Sequence, residues 1–420
     1  MKRLEKHMQK FLPLLLILLL TGVFSLLGQE KITFTHHIID KPLPGKSWGT
    51  GGFTLADLDG DGDKDITISR RSNNTVYWYE FEGANDWIKH EIGKCDGGQL
   101  GALSLDVNQD GFPDLVMGRF WYRNPGNLDE HPGREWERFR YNGGLPEENH
   151  DIGAADFDGD GKKEVVCYSQ DAGNGTLRIY QTADGSNWSF SDVSTSVNET
   201  VKDRDEKGVH GGFAPAGLGD LNGDGDPDIV MPPGWYENPG KPGGDWKLHR
   251  WNFTVGIYPN AYGTSMRSWV TDIDSDGDND VVYADCDVQN SNLWLVLNLE
   301  GSFVRKKLAA PGEKTGSYHS LVVGDFNRDG LKDIFTAEQE DKNHLMKPEG
   351  LEERGLLYIQ QKSANSPEFK LQVIHQDNPG WHDTRAGDVD GDGDIDLATK
   401  IWNADEGVYH ADFWENKLKK

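Results

Sequence analysis

One short acidic pattern, D-x-[DN]-x-D-G-x-x-[DE], begins at Asp57, Asp106, Asp156, Asp220, Asp272, Asp325 and Asp388. The steps between copies are 49, 50, 64, 52, 53 and 63 residues. A single glycine-bearing acidic turn says little. Seven at near-regular spacing restrict the chain to a repeat architecture, in which each unit buries its apolar faces against its neighbours. The 420 residues then need no division into separate cores, as a non-repeating chain of this length would.

The spacing carries chemistry. Oxygen-bearing side chains at positions 1, 3 and 5 wrap one hard cation, glycine at 6 permits the sharp turn, and a carboxylate at 9 closes the cage. Such all-oxygen sites suit calcium better than magnesium, which demands a stricter octahedron. An EF-hand needs a bidentate glutamate at position 12. Here that position holds Ile68, Met117, Cys167, Met231, Tyr283, Thr336 and Thr399, so EF-hands are excluded.

Each loop is followed instead by a β-rich run, from ITIS in the first unit to LATK in the last, and preceded by another, such as ALSL or LVVG. Aromatic third runs follow, such as VYWYEF and LWLVLN, then fourth runs such as WIKHEI and FKLQVI in units one to six. Unit seven lacks a fourth run, and ITFTHHII at residues 32–39 matches it in pattern. The expected fold is an all-β, seven-bladed β-propeller over residues 29–420, closed by an N-terminal strand completing the last blade; closure protects the strand edges. The two long steps are read as loop insertions, around Gly185 to Gly212 and from Asp341 to Arg354.

Residues 1–28 read as a signal peptide: Lys2, Arg3, Lys6 and Lys10 precede an apolar run from Phe11 to Leu27, with cleavage near Gly28 or retention as an anchor. A secreted or periplasmic location is expected, with no membrane span once the signal is removed. Cys95, Cys167 and Cys286 are too scattered for a disulfide framework and are read as small buried hydrophobes, one disulfide remaining open. The net charge of −27 would be repelled by a phosphate backbone and argues against a nucleic-acid partner.

These repeats resemble the FG-GAP/VCBS family, whose calcium-binding blades build integrin α-chain heads and bacterial secreted propellers; the resemblance spans Ile32 to Asn416. It implies about seven structural calcium ions. By matching positions their ligands are Asp57, Asp59, Asp61 and Asp65; Asp106, Asn108, Asp110 and Asp114; Asp156, Asp158, Asp160 and Glu164; Asp220, Asn222, Asp224 and Asp228; Asp272, Asp274, Asp276 and Asp280; Asp325, Asn327, Asp329 and Asp333; and Asp388, Asp390, Asp392 and Asp396. Glu164 and the three asparagines depart from the all-aspartate pattern and are expected to weaken their sites.

If the loops join strands one and two, function belongs at the opposite mouth, where the repeats differ. Counting back six residues from each first ligand gives His150, His319 and His382 in one phase; counting on five from position 9 gives Arg119 and Glu338, with Lys400 beside Ile401. Arg385 and several tryptophans lie near. Cations and imidazoles in an aromatic-rimmed pocket suit a glycan or a uronate. Candidate roles are His150 or His319 as base and Arg119 and Arg385 as carboxylate clamps, or the histidines with Glu338 holding a transition metal. Seven-bladed propellers of this type resemble polysaccharide lyases and the propeller part of an aldos-2-ulose dehydratase. A non-catalytic glycan-binding module and a protein-interaction propeller are the alternatives. The Trp-Tyr-x-Asn-Pro pieces, Trp121 to Pro125 and Trp235 to Pro239, are read as blade packing.

Overall fold

The second strand of each unit organises the fold, because its side chains are buried on both faces of its sheet. Asp65–Arg70, Glu164–Ser169, Asp280–Asp285 and Asp333–Glu338 are buried at every position. Sheets of this kind must stack face to face. The computed structural model describes residues 31–45, 48–71, 75–96, 100–141, 149–241, 243–256, 260–340, 345–362, 366–377, 380–403 and 407–418; the segment read as a signal peptide lies outside them. Among the described residues, no helix is long and apolar enough to cross a membrane.

Phe34–Lys420 forms one unit of seven antiparallel blades, each written from the inner strand outward. Blade one is Thr50–Ala56, Asp65–Arg70, Thr75–Gly83 and Asp86–Lys94. Blade two is Ala102–Leu105, Asp114–Met117, Phe120–Arg123 and Glu137–Arg140. Blade three is Asp151–Ala155, Glu164–Ser169, Thr176–Thr182 and Trp188–Ser194, and blade four is Leu218–Gly219, Asp228–Met231, Gly234–Glu237 and Lys247–Arg250. Blade five is Thr264–Thr271, Asp280–Asp285, Leu293–Leu299 and Ser302–Lys307; blade six is Tyr318–Gly324, Asp333–Glu338, Arg354–Lys362 and Glu368–Gln376. Blade seven takes Asp383–Gly387, Asp396–Lys400 and Ala411–Asn416 from the C-terminal end and Phe34–Asp40 from the N-terminal end, with Phe34 opposite Asn416. The ring closure read from ITFTHHII is therefore present.

The core lies between blades. Phe53, Ile66 and Tyr79 of blade one pack on Ala398 and Phe413 of blade seven, and Val230 and Trp235 of blade four on Val281 and Tyr283 of blade five. Trp381 stacks on Trp414 at 4.5 Å and meets Phe335 at 5.6 Å between blades six and seven. Cys95, Cys167 and Cys286 are buried and not joined in a disulfide; the last two also meet the hydroxyls of Tyr141 and Ser265.

One loop expectation is corrected. The stretch from Gly185 to Gly212 contains the fourth strand of blade three, Trp188–Ser194, a 3-10 turn at Val197–Thr200 and the strand Val209–Gly211. Trp188–Ser194 is the fourth run of unit three, and it reads as polar because most of it meets solvent: Ser189, Asp192 and even Phe190 are exposed, and only Val193 is buried. Val209–Gly211 and Pro215–Ala216 run parallel to Thr264–Thr271 of blade five, so only Leu218–Gly219 remains as the inner strand of blade four. Pro215 has no N–H for a ladder, and Gly217 turns the chain by donating to the Phe213 carbonyl at 2.6 Å. In the other insertion, Leu345–Glu353 carries no strand and Asp341 lies outside the described residues.

Candidate functional site

All seven acidic loops turn through their position-6 glycines with positive φ, from 86° at Gly330 to 110° at Gly62, a conformation that strains any residue bearing a Cβ. The position-9 carboxylate is a structural staple in six blades. Asp228 accepts Leu221 N at 2.8 Å and Asn238 N at 2.9 Å, and Asp65, Asp114, Asp280, Asp333 and Asp396 repeat that pair of bonds. Glu164 makes the first bond, to Phe157 N at 2.8 Å. Burial pushes these carboxyls up despite the N–H donors, to about 8 for Asp65 and about 7 for Asp228, Asp280, Asp333 and Asp396.

The residues present fit a hard cation. Carboxylate oxygens converge in the groups Asp57–Asp59–Asp61, Asp156–Asp158–Glu164, Asp272–Asp274–Asp276 and Asp388–Asp390–Asp396, each within 4.8 Å. Asp274 is fully buried with neither oxygen partnered, and Asp388 Oδ1 is buried without a partner. Such orphaned acceptors are costly unless something positive meets them. In the other three loops the asparagine amide donates to the position-5 carboxylate, as Asn108 does to Asp110 at 2.7 Å, Asn222 to Asp224 at 2.9 Å and Asn327 to Asp329 at 2.9 Å.

The asparagine of Trp-Tyr-x-Asn-Pro was not recognised as a link between blades. Asn124 Nδ2 donates to the Leu58 carbonyl of blade one at 2.8 Å, and Asn238 to Phe157 of blade three at 2.9 Å. Asn298, Gln360 and Asn416 do the same in blades five, six and seven. Recurrence of an amide two residues beyond the aromatic pair was the available signal.

On the axis lies a cavity of about 500 Å³. His150, His319, His382, Arg385 and Lys400 line it; Arg119 and Glu338 do not. Glu338 is instead fully buried, paired with Arg354 at 2.6 Å and accepting Gly316 N, because alternation along the strand turns Gln339, not Glu338, to the axis. Arg119 sits beyond the end of a short second strand, where its carbonyl accepts Tyr141 N.

Three further lining residues were not assigned a role from sequence: Arg267, Asp287 and Gln339. His150 Nδ1 donates to Asp151 Oδ1 at 2.7 Å. Burial alone would raise the Asp151 carboxyl, but His150, Arg267 and the Gly212 amide hold it at about 2, so it is a carboxylate that takes His150 Nδ1–H and leaves Nε2 outside that bond. His210, brought in by the extra strand, lies 4.3 Å from the His150 ring. His319 Nδ1 lies 2.7 Å from the His382 carbonyl, and Arg267 Nη2 lies against the same ring, 2.9 Å from Nδ1 and 3.2 Å from Nε2. His382 Nδ1 donates to Gln339 Oε1 at 3.0 Å. Burial and neighbouring positive groups keep His210, His319 and His382 well below the usual imidazole range, so they are neutral at physiological pH. Lys400, 3 % exposed, donates to Thr50 Oγ1 at 3.1 Å, and burial lowers it to about 8. Arg385 is engaged by Phe53 O at 3.0 Å and Asp383 at 3.1 Å.

The expected histidine and Glu338 metal centre does not assemble among the described residues. The His319 ring stacks on His382 at 3.8 Å, and the nearby convergent group is Cys286, Asp287 and His319. Arg267 bonds His319 within that group, and a guanidinium repels a second cation.

A family model described as FG-GAP-like repeat matches residues 57–117, 156–231 and 272–336. No curated protein matches the chain. Among solved structures, a lectin from Agrocybe aegerita specific for non-reducing terminal N-acetylglucosamine is 18% identical, with 79% of this chain and 81% of that one covered and a TM-score of 0.48. The rhamnogalacturonan lyase YesW is 12% identical, with 90% and 75% covered and a TM-score of 0.46. The chain is a seven-bladed β-propeller in which residues 57–117, 156–231 and 272–336 match FG-GAP-like repeats.

Proposed function

We propose that the chain is a secreted or periplasmic propeller that binds calcium in its acidic loops and takes an anionic sugar of a glycan at the channel mouth, with His150 as the base of a β-elimination. The observation that carries this reading is a reversal of charge. The sequence as a whole is −27, yet five cationic side chains, Arg71, Lys163, Arg267, Arg385 and Lys400, line the cavity against two carboxylates, Asp287 and Asp383. A concave site of that sign, walled by protein, concentrates anions. Trp48, Tyr262 and Trp402 at the same cavity offer flat apolar faces suited to pyranose rings.

His150 is better suited than His319 to act as base, because both nitrogens of His319 are engaged whereas Asp151 holds only Nδ1 of His150. In the step, His150 Nε2 takes the proton on the carbon next to the sugar's anionic group. Its electron pair forms the C=C bond, the C–O bond to the leaving oxygen breaks, and that oxygen takes a proton from water. In the loops, calcium would supply positive charge between blades; Asp274 and the other convergent carboxylates would hold it.

The test combines glycan binding with an assay for the unsaturated sugar product. His150→Ala is expected to bind as the parent does and to lose turnover by about 100-fold or more. Binding without any turnover by the parent would leave the non-catalytic glycan-binding reading, which the same rim aromatics support. No binding of any glycan by the parent would overturn the reading of the cavity.

A further inference from the structure

The arginines of the central unit differ in how their N–H groups are used. Arg70 donates to the carbonyls of Gly49, Leu43 and Gly45, Arg354 grips both oxygens of Glu338 at 2.8 and 2.6 Å, and Arg385 is held by Phe53, Thr384 and Asp383. Arg267 is different. Its Nη2 meets only the His319 ring, 2.9 Å from Nδ1 and 3.2 Å from Nε2, its Nη1 comes only to 3.9 Å from Asp151 Oδ1, beyond hydrogen-bond reach, and its Nε is buried without a partner.

The guanidinium cannot shed its charge to escape this. Burial works against it, and the acidic side chains Asp383, Asp151 and Asp287 around it favour its charge. A buried cation surrounded by acids but bonded to none of their oxygens is an incomplete pair. Its side chain is 13 % exposed, and it lines the cavity.

We infer that Arg267 is the fork that receives the ligand's anionic group and that this group is a carboxylate, so the glycan selected is uronate-bearing; this rests on the channel-mouth reading above. A planar carboxylate matches the parallel N–H groups of a guanidinium, which an ammonium cannot imitate. The neighbouring acceptors fit the rest of such a sugar. His150 and His382 each spend Nδ1–H on Asp151 and Gln339, leaving Nε2 lone pairs that accept from ring hydroxyls and disfavour a doubly charged phosphate. Arg119 and Arg385, the clamps expected from sequence, are respectively away from the cavity and already engaged. Arg267 escaped notice because it lies one residue beyond the phase that was counted, at Met266.

The experiment titrates the parent, Arg267→Lys and Arg267→Gln with oligogalacturonate, a neutral oligosaccharide of equal length and a sulfated one, following binding by calorimetry and folding by thermal melting. The parent is expected to prefer oligogalacturonate by about tenfold or more over both others, and each variant to lose that preference while binding the neutral oligomer unchanged. Equal binding of sulfated and uronate oligomers by the parent overturns the inference without any variant having to fold. So does parental preference retained in a folded Arg267→Lys or Arg267→Gln protein. Absence of binding to all three by the parent sinks this inference together with the reading of the cavity, whereas the first two results leave that reading standing.

Discussion

In the acidic loops, Asp65 and Asp228 are buried with backbone N–H groups as their answering donors, and their carboxyls rise to about 8 and about 7. At the cavity, Asp151 is buried as deeply, yet His150 and Arg267 join the backbone amides and hold it at about 2. One end of the channel has gathered more negative charge than its own donors neutralise. The other carries its cations within the chain. On the proposed reading the first is completed by a metal and the second by an anion, and the same burial term has opposite consequences according to what stands beside it.

The largest effect expected at the loop end is that of chelation. Sites of the extracellular type have Kd on the order of 10⁻⁴ to 10⁻³ M. Tenfold saturation of each adds about 1.4 kcal/mol, and seven together reach on the order of 10 kcal/mol, comparable to a whole folding stability. Excess chelator should therefore lower Tm by about 10 °C or more. The metal-free melt should also depend on pH. Carboxyls raised in the folded state stabilise it fully below their unfolded values and lose that contribution as pH climbs from about 4 through about 8, so chelated protein melts lower at pH 8 than at pH 5. A melt that ignores chelator at pH 8 would remove the contrast between the two ends.

Next comes Asn238→Ala, which strips donors from the Phe157 and Pro227 carbonyls. It should cost about 1 to 3 kcal/mol in denaturant titrations and leave cavity affinity alone; an altered affinity would mean the ends are coupled. Smaller still, Asp274→Asn should reverse sign with conditions. It removes an unpartnered buried charge and stabilises the chelated protein by about 1 kcal/mol, while weakening calcium-dependent stabilisation. A gain of the same size in both conditions would show Asp274 to be no metal ligand. The subtlest contrast belongs to Lys400. Because burial lowers it to about 8, affinity for an anionic oligosaccharide should fall severalfold as pH rises past about 8, and Lys400→Arg should flatten that fall. A parental affinity constant from pH 7 to 9 would take Lys400 out of the anion field.

The loop end was legible in the sequence because its signal is local: four oxygen donors and a glycine within nine residues, repeated. Closure was legible too, since ITFTHHII alternates like the fourth strands it stands in for. The cavity was harder, because its residues come from different blades and are placed by alternation and register. Counting one fixed phase found His150, His319 and His382. It chose Glu338 over Gln339, which points the other way, and passed over Arg267. Bulges at Thr50/Phe53 and Tyr318/Ser320 shift the count further. His210 reaches the cavity on a parallel strand that Val209–Gly211 lends to blade five, a departure from the repeat.

The seal of the ring joins His36 to Asp412 across 376 residues, and lays the His36 ring on Trp414 at 4.1 Å. Joining such distant segments costs only slightly more entropy than a shorter loop, but it imposes an order in time. Phe34–Asp40 has no mate until Ala411–Asn416 has been synthesised. A chain cut short by a handful of residues keeps six blades yet strands its own beginning as an open edge.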